Sequence, residues 1–274
     1  MTSVGQIIFG SMIFLIVVIS GIIIFILAIA FSVSQGTVES SSPSTVGNLG
    51  QDVILNCRFL TNSGNGQLDD VSITWLKDGL RGVVYEYKKK VAQLQGQNTQ
   101  FKNRAQLFLD VISTGNASLL LRSVRLEDDG VYRCSVNAPK LSGTTSINLK
   151  VAAFSAPTFT QQKEGSLTAE AQRWFPRPNV SWLGQSGELL NSSTQFSNNS
   201  AGITQVVSVY EGPVKADNTY TCLIQNNLVK AVSEATVTGN GVTGKTYFLF
   251  NAASTNVLSL KLLLAVILTL SAFQ

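Results

Sequence analysis

"DDGVYRC", residues 128–134, decides the fold. It sets Asp128, Gly130, Tyr132 and Cys134 in a D-x-G-x-Y-x-C frame, with a tyrosine two places before a cysteine. In an immunoglobulin-type β-sandwich that tyrosine closes the corner before strand F, and the cysteine bridges to the facing sheet. The bridge partner and a tryptophan to pack on the sulfurs should then stand upstream, and both do. "DVILNCRF" (52–59) alternates Val53, Leu55, Cys57 and Phe59, as a half-buried strand requires. "VSITWLK" (71–77) places Trp75 in phase with Ile73. The constellation predicts a disulfide between Cys57 and Cys134 with Trp75 against it.

The long interval between these cysteines leaves room for the extra C′ and C″ strands of a variable-type domain. "GVVYEYK" (82–88) and the segment after it are the candidates. Arg104, in "FKNRAQLF", stands where variable-type domains place an arginine that pairs with the aspartate of the frame, here Asp128. "ASLLLRSV" (117–124) reads as strand E, and "TTSINLKV" (144–151) as strand G. The first domain is placed at residues 38–151.

A second domain, placed at 156–238, repeats the pattern with one hole. "NTYTC" (218–222) supplies the corner tyrosine Tyr220 and the strand F cysteine, Cys222. Trp182 in "NVSWLG" is the strand C tryptophan. Strand B falls in "SLTAEAQRWFPRP" (166–178), where Leu167, Ala169 and Ala171 alternate and Ala169 holds the cysteine position. The chain has three cysteines, so Cys222 has no intrachain partner. The expectation is a buried free thiol; an intermolecular bridge is the other use of an odd cysteine in a secreted protein. The shorter interval from Ala169 to Cys222 suits a constant-type domain without C′ and C″. The fold class is therefore all-β, two tandem immunoglobulin-like sandwiches between hydrophobic ends.

The 274 residues carry a net charge of +4 and no histidine. Without histidine there is no Ser-His-Asp or Cys-His catalysis and no His-ligated zinc. Neither an enzyme, a metal nor a cofactor is expected. Lys88, Lys89 and Lys90 form the basic cluster; lacking a matching fold or interleaved aromatics, it reads as a solvated turn and not a nucleic-acid site. "GNGVTGKT" (239–246) fits the phosphate-loop pattern, but too little chain follows to build a parallel sheet around it. It reads as a Gly-rich stalk, placed at 239–256, and no small-molecule substrate is expected.

Both ends read as addresses. The first charged side chain is Glu39. Residues 1–30 read as a signal peptide ending in Ala28-Ile29-Ala30, with cleavage before Phe31; the run also has the length of a signal anchor. Residues 257–274 read as a hydrophobic C-terminal signal: Asn251-Ala252-Ala253 are followed by a polar spacer holding Lys261, then by an apolar run from Leu262. That is the layout of a GPI-attachment signal, with a short transmembrane helix as the alternative. Four sequons, at Asn116, Asn179, Asn191 and Asn198, fit a glycosylated, membrane-anchored chain on the cell surface, delivered by the secretory pathway.

"GNLGQDVILNCRF", "ITWLKDGL", "VVYEYK", "NASLLLRSV" and above all "AQRWFPRPNVSW", followed by "VVSVYEG" and "NTYTCLIQN", resemble the costimulatory and co-inhibitory ligands of T cells, a group that includes the butyrophilins. Ala169 departs from the group, whose constant domain normally has both cysteines. The resemblance implies a ligand for an unidentified receptor on T cells that restrains their activation, proliferation and cytokine production. An adhesion molecule of the same fold is the alternative. The resemblance points to the outward face of the sheet made by strands G, F, C and C′. Inward Trp75, Tyr132 and Cys134 fix the phase, so Thr74, Leu76, Arg133, Ser135 and Asn137 face outward. Tyr85 and Tyr87 on strand C′ are candidates for that face or for the core.

Overall fold

The computed structural model describes residues 4–33, 37–60, 70–138, 141–161, 165–238 and 241–251. The hydrophobic segment at 257–274, and the proposed attachment site beyond Asn251, lie outside the described residues. At the N-terminus one helix, α1 (Val4–Val33), is apolar on all sides, so it has no amphipathic stripe to dock on a sandwich. Among the described residues no helix is long and apolar enough to cross a membrane.

The first sandwich is built from β1 (Thr37–Glu39), β2 (Ser44–Asn48), β3 (Val53–Leu55), β4 (Arg58–Leu60), β5 (Ser72–Lys77), β6 (Tyr85–Lys88), β7 (Val91–Ala92), β8 (Ala105–Leu107), β9 (Leu119–Leu121), β10 (Gly130–Ala138) and β11 (Leu141–Ala152). A six-stranded sheet runs β2-β11-β10-β5-β6-β7, with β2 parallel to β11. Its β6 and β7 are the C′ and C″ strands that the cysteine interval predicts. The facing strands are β3-β9-β8 and β1-β4; strand B is split at Asn56-Cys57 and changes partners there. Cys57 and Cys134 are bonded, with Cα atoms 6.5 Å apart. Trp75 pairs with Cys134 in register, is fully buried, and donates its indole N–H to the Ala117 carbonyl at 2.9 Å. Tyr132 is also fully buried, edge-on to Phe101. Gly115 has φ +86°, and a side chain there would put its Cβ 2.3 Å from the Phe59 carbonyl oxygen. Only glycine fits that approach.

The second sandwich comprises β12 (Thr158–Gln161), β13 (Leu167–Trp174), β14 (Asn179–Leu183), β15 (Leu189–Leu190), β16 (Ser192–Asn198), β17 (Thr204–Tyr210), β18 (Thr219–Gln225), β19 (Val229–Thr238) and β20 (Gly241–Phe250). One sheet is β12-β13-β17-β16, the other β15-β14-β18-β19-β20. Two expectations are corrected here. A two-residue C′ strand, β15, pairs with β14, where none was expected. The stretch read as the start of a stalk is a ten-residue strand, β20, antiparallel to β19 from Thr238↔Gly241 to Val229↔Phe250. The reason is period-two patterning: Val242 and Phe248 pack against the core and Thr246 bonds Ser233 at 2.9 Å, while Lys245 faces out. From Gly241 to Thr246 the stretch pairs with β19 as a strand, not as a loop. Gly244 is required where the Phe159 ring lies 2.8 Å from its would-be Cβ.

Ala169 and Cys222 are both fully buried in one apolar cluster with Trp174, Trp182 and Tyr220. The Tyr220 hydroxyl accepts from the Lys215 N–H at 3.0 Å, making the expected corner. Phe159–Trp182, Trp182–Tyr210 and Tyr210–Tyr220 are ring pairs 5.4–6.4 Å apart. Such pairs contribute about 0.5–1.5 kcal/mol each beyond burial, together of the order that a disulfide supplies.

Burial pushes the Cys222 thiol up to about 12, so little thiolate is available to attack a disulfide or an alkylating reagent. The folded value lies above the ordinary 9.0, and only the unfolded chain ionises this thiol between them. Its contribution to stability is therefore complete below pH 9 and declines as pH rises towards 12. Ala169→Cys is expected to form a bridge to Cys222 and raise stability by about 2–4 kcal/mol, measured by denaturant unfolding with and without reductant. Two alkylatable thiols after denaturation without reductant would show that the pair does not meet.

Candidate functional site

Along β5 and β10 the buried residues Ile73, Trp75, Tyr132, Cys134 and Val136 point inward. Their neighbours must then point outward. The register assembles them into rows: Arg133 opposite Leu76, Ser135 opposite Thr74, Asn137 opposite Ser72, with Thr74 continuing to Glu86 on β6. Leu76, Arg133 and Asn137 are exposed, and Thr74 and Ser135 half-buried. All five residues that the sequence phase placed on this face share one sheet and one side.

Tyr85 and Tyr87 do not join them. They pair with Trp75 and Ile73, which places them on the inward side, and they are 6 % and 9 % exposed. Burial, then the neighbouring Tyr87, raises the Tyr85 hydroxyl above its ordinary value. Their candidacy for the outer face is withdrawn. The residues β6 presents there are Glu86 and Lys88, and the alternation Tyr-Glu-Tyr-Lys carried that signal.

Around Leu76 the face is polar. Leu76 is 37 % exposed. Arg133 Nη2 donates to Asp78 Oδ2 at 2.9 Å, and the hydroxyls of Ser135 and Thr144 bond at 2.9 Å. The Lys88–Lys90 cluster forms the β6–β7 hairpin, Lys89 and Lys90 both having positive φ, as a two-residue primed turn demands. Behind the face, Arg104 is buried, its guanidinium donating to the Gln100 carbonyl at 2.9 Å and lying over the Phe101 ring. Asp128 is buried and accepts from the Arg125 N–H at 2.8 Å. Of the sequon asparagines, Asn179, Asn191 and Asn198 are exposed. Asn116 is half-buried, its carbonyl accepting from the Ser118 N–H at 2.9 Å.

A six-stranded sheet with C′ and C″ strands, followed by an ABED-type sheet facing a CFG-type sheet, defines a variable-type immunoglobulin domain and a constant-type one in tandem. Residues 40–152 match the Immunoglobulin V-set domain, and residues 157–233 match the Butyrophilin subfamily 3 member A2-like, Ig-C domain. The chain is 37 % identical over 246 residues to human V-set domain-containing T-cell activation inhibitor 1, covering 87 % of this chain and 86 % of that protein. It belongs to that family, one of immunoglobulin-superfamily immune ligands and not of enzymes. A CD276 antigen homolog from Xenopus laevis is 31 % identical over 207 residues, covering 72 % of this chain and 66 % of the relative. The crystal structure of the human B7-H4 IgV-like domain is 36 % identical, covering 42 % of this chain and 96 % of that one, with a TM-score of 0.39.

The Arg133–Asp78 pair is exposed on both sides, so it adds little to stability. Arg133→Ala is expected to change unfolding free energy by less than about 0.5 kcal/mol, read by denaturant melts. That makes it a clean probe of what the face binds.

Proposed function

We propose that this chain is a cell-surface ligand that binds a receptor on T cells and restrains their activation, proliferation and cytokine production. The observation that carries the reading is the 37 % identity, running through both domains, to a protein named for T-cell activation inhibition. The receptor contact is the outward face holding Thr74, Leu76, Arg133, Ser135 and Asn137, to which Glu86 is added. Leu76 supports that assignment: a partly exposed apolar side chain ringed by polar groups is how a small interface core is laid out. The chain reaches the surface by the secretory pathway, with residues 1–30 as its leader, glycans on its sequons, and the 257–274 segment as a GPI signal.

The test is to immobilise residues 31–251 in multivalent form beside an activating antigen-receptor antibody and count T-cell division. Fewer divisions are expected. Arg133→Ala combined with Asn137→Ala is expected to need about tenfold more protein for the same effect, the equivalent of about 1.4 kcal/mol of binding. Undiminished division with folded protein would instead favour adhesion without immune inhibition.

A further inference from the structure

The second sandwich has an outer sheet face that the receptor contact does not use. Inward Cys222 and Ile224 leave Leu223 and Gln225 facing out, and the registers carry that phase across the sheet. One row runs Ser181, Leu223, Val232, Tyr247; the next runs Asn179, Gln225, Lys230, Leu249. Tyr247 is 46 % exposed and Leu249 50 %. Large apolar side chains scattered singly on a surface need no explanation, but these two, beside half-buried Leu223 and over buried Val232, make a small patch.

Asn179 is the first residue of β14, is exposed, and opens the sequon Asn179-Val180-Ser181. Three strand spacings separate it from Leu249, about 14 Å, and Tyr247 lies about 7 Å further along β20. That is within reach of the first few sugars of an N-glycan. We propose that a glycan on Asn179 lies across this face, its first sugars over Gln225 and Lys230 and its apolar sugar faces against Leu249 and Tyr247.

The polar groups stand nearest the asparagine, where an amide and an ammonium can bond sugar hydroxyls; the apolar groups stand farther out, where sugar C–H faces can stack on the ring. A second copy of the chain is the competing occupant. Two exposed apolar side chains and a half-buried one fall well short of the roughly 800 Å² per partner that a stable interface buries, and a hydrated glycan rooted in the same row would obstruct it. In the attachment step the Asn179 amide nitrogen bonds the anomeric carbon of a lipid-diphosphate-linked oligosaccharide. The lipid diphosphate leaves and the amide loses one proton; nothing is oxidised or reduced.

The inference rests on the secretory part of the proposed function, and the experiment separates the two. The full chain is expressed in animal cells that retain high-mannose glycans, and glycopeptide mass spectrometry reads occupancy at each sequon. Hydroxyl-radical footprinting then measures Tyr247 and Leu249 before and after an endoglycosidase trims the folded protein to one sugar. Labelling of Tyr247 is expected to rise about fivefold, the ratio of its 46 % exposure on the bare sheet to the under-a-tenth exposure of a covered side chain. Leu76 should not change. Asn179→Gln and Ser181→Ala should each reproduce the rise, and trimming decides the matter if either variant fails to fold. An empty Asn179 beside occupied Asn191 or Asn198 overturns the inference and leaves the secretory reading standing. Unchanged Tyr247 labelling with Asn179 occupied overturns it as well. If no sequon is occupied, the secretory reading falls and takes this inference with it.

Discussion

The bridge between Cys57 and Cys134 fixes the inward direction of two strands at once, and the rest of the first sandwich follows from that choice. Cys134 and Trp75 are register partners, so the sulfur and the indole mark the same side of the sheet. A slip of one residue would turn every side chain of β10 over, and the covalent link forbids it. The outward set is the complement of the inward one: burying Trp75 and Cys134 is what exposes Leu76 and Arg133. Core and outer face are two readings of one alternation.

The second sandwich keeps the alternation without the bond. Trp182 and Cys222 are register partners, as Trp75 and Cys134 are in the first. The indole N–H of Trp182 donates to the Ser208 hydroxyl at 2.9 Å, where that of Trp75 meets a backbone carbonyl. Tyrosine, tryptophan and cysteine therefore hold their places when the partner cysteine is an alanine. What the domain loses is a constraint on its unfolded state; what offsets the loss is ring contact in the folded one.

The fold was legible because its signals are local spacings: D-x-G-x-Y-x-C, the alternating strand B, and the tryptophan in phase with Ile73. Most of the candidate face was legible for the same reason, since five residues could be phased from three buried anchors. Tyr85 and Tyr87 were left open because aromatic residues serve cores and interfaces alike, and only pairing with Trp75 and Ile73 decides between them. Glu86 was missed although the same alternation displays it. β20 was misread because three glycines and a phosphate-loop spelling drew attention from Val242, Thr246 and Phe248 two and four places apart. Glycine there serves a close approach by Phe159, which no local pattern reveals.

β20 also has a mechanical meaning. It is the last strand described before the residues that follow Asn251, so a pull entering from that side meets the β19–β20 ladder before it meets the core. Drawn along its own axis, the strand loads its ten register pairs together; peeled from Phe250, it loads them one after another. Once free, ten residues add up to about 35 Å of chain, while the two buried tryptophans of the second sandwich stay in place.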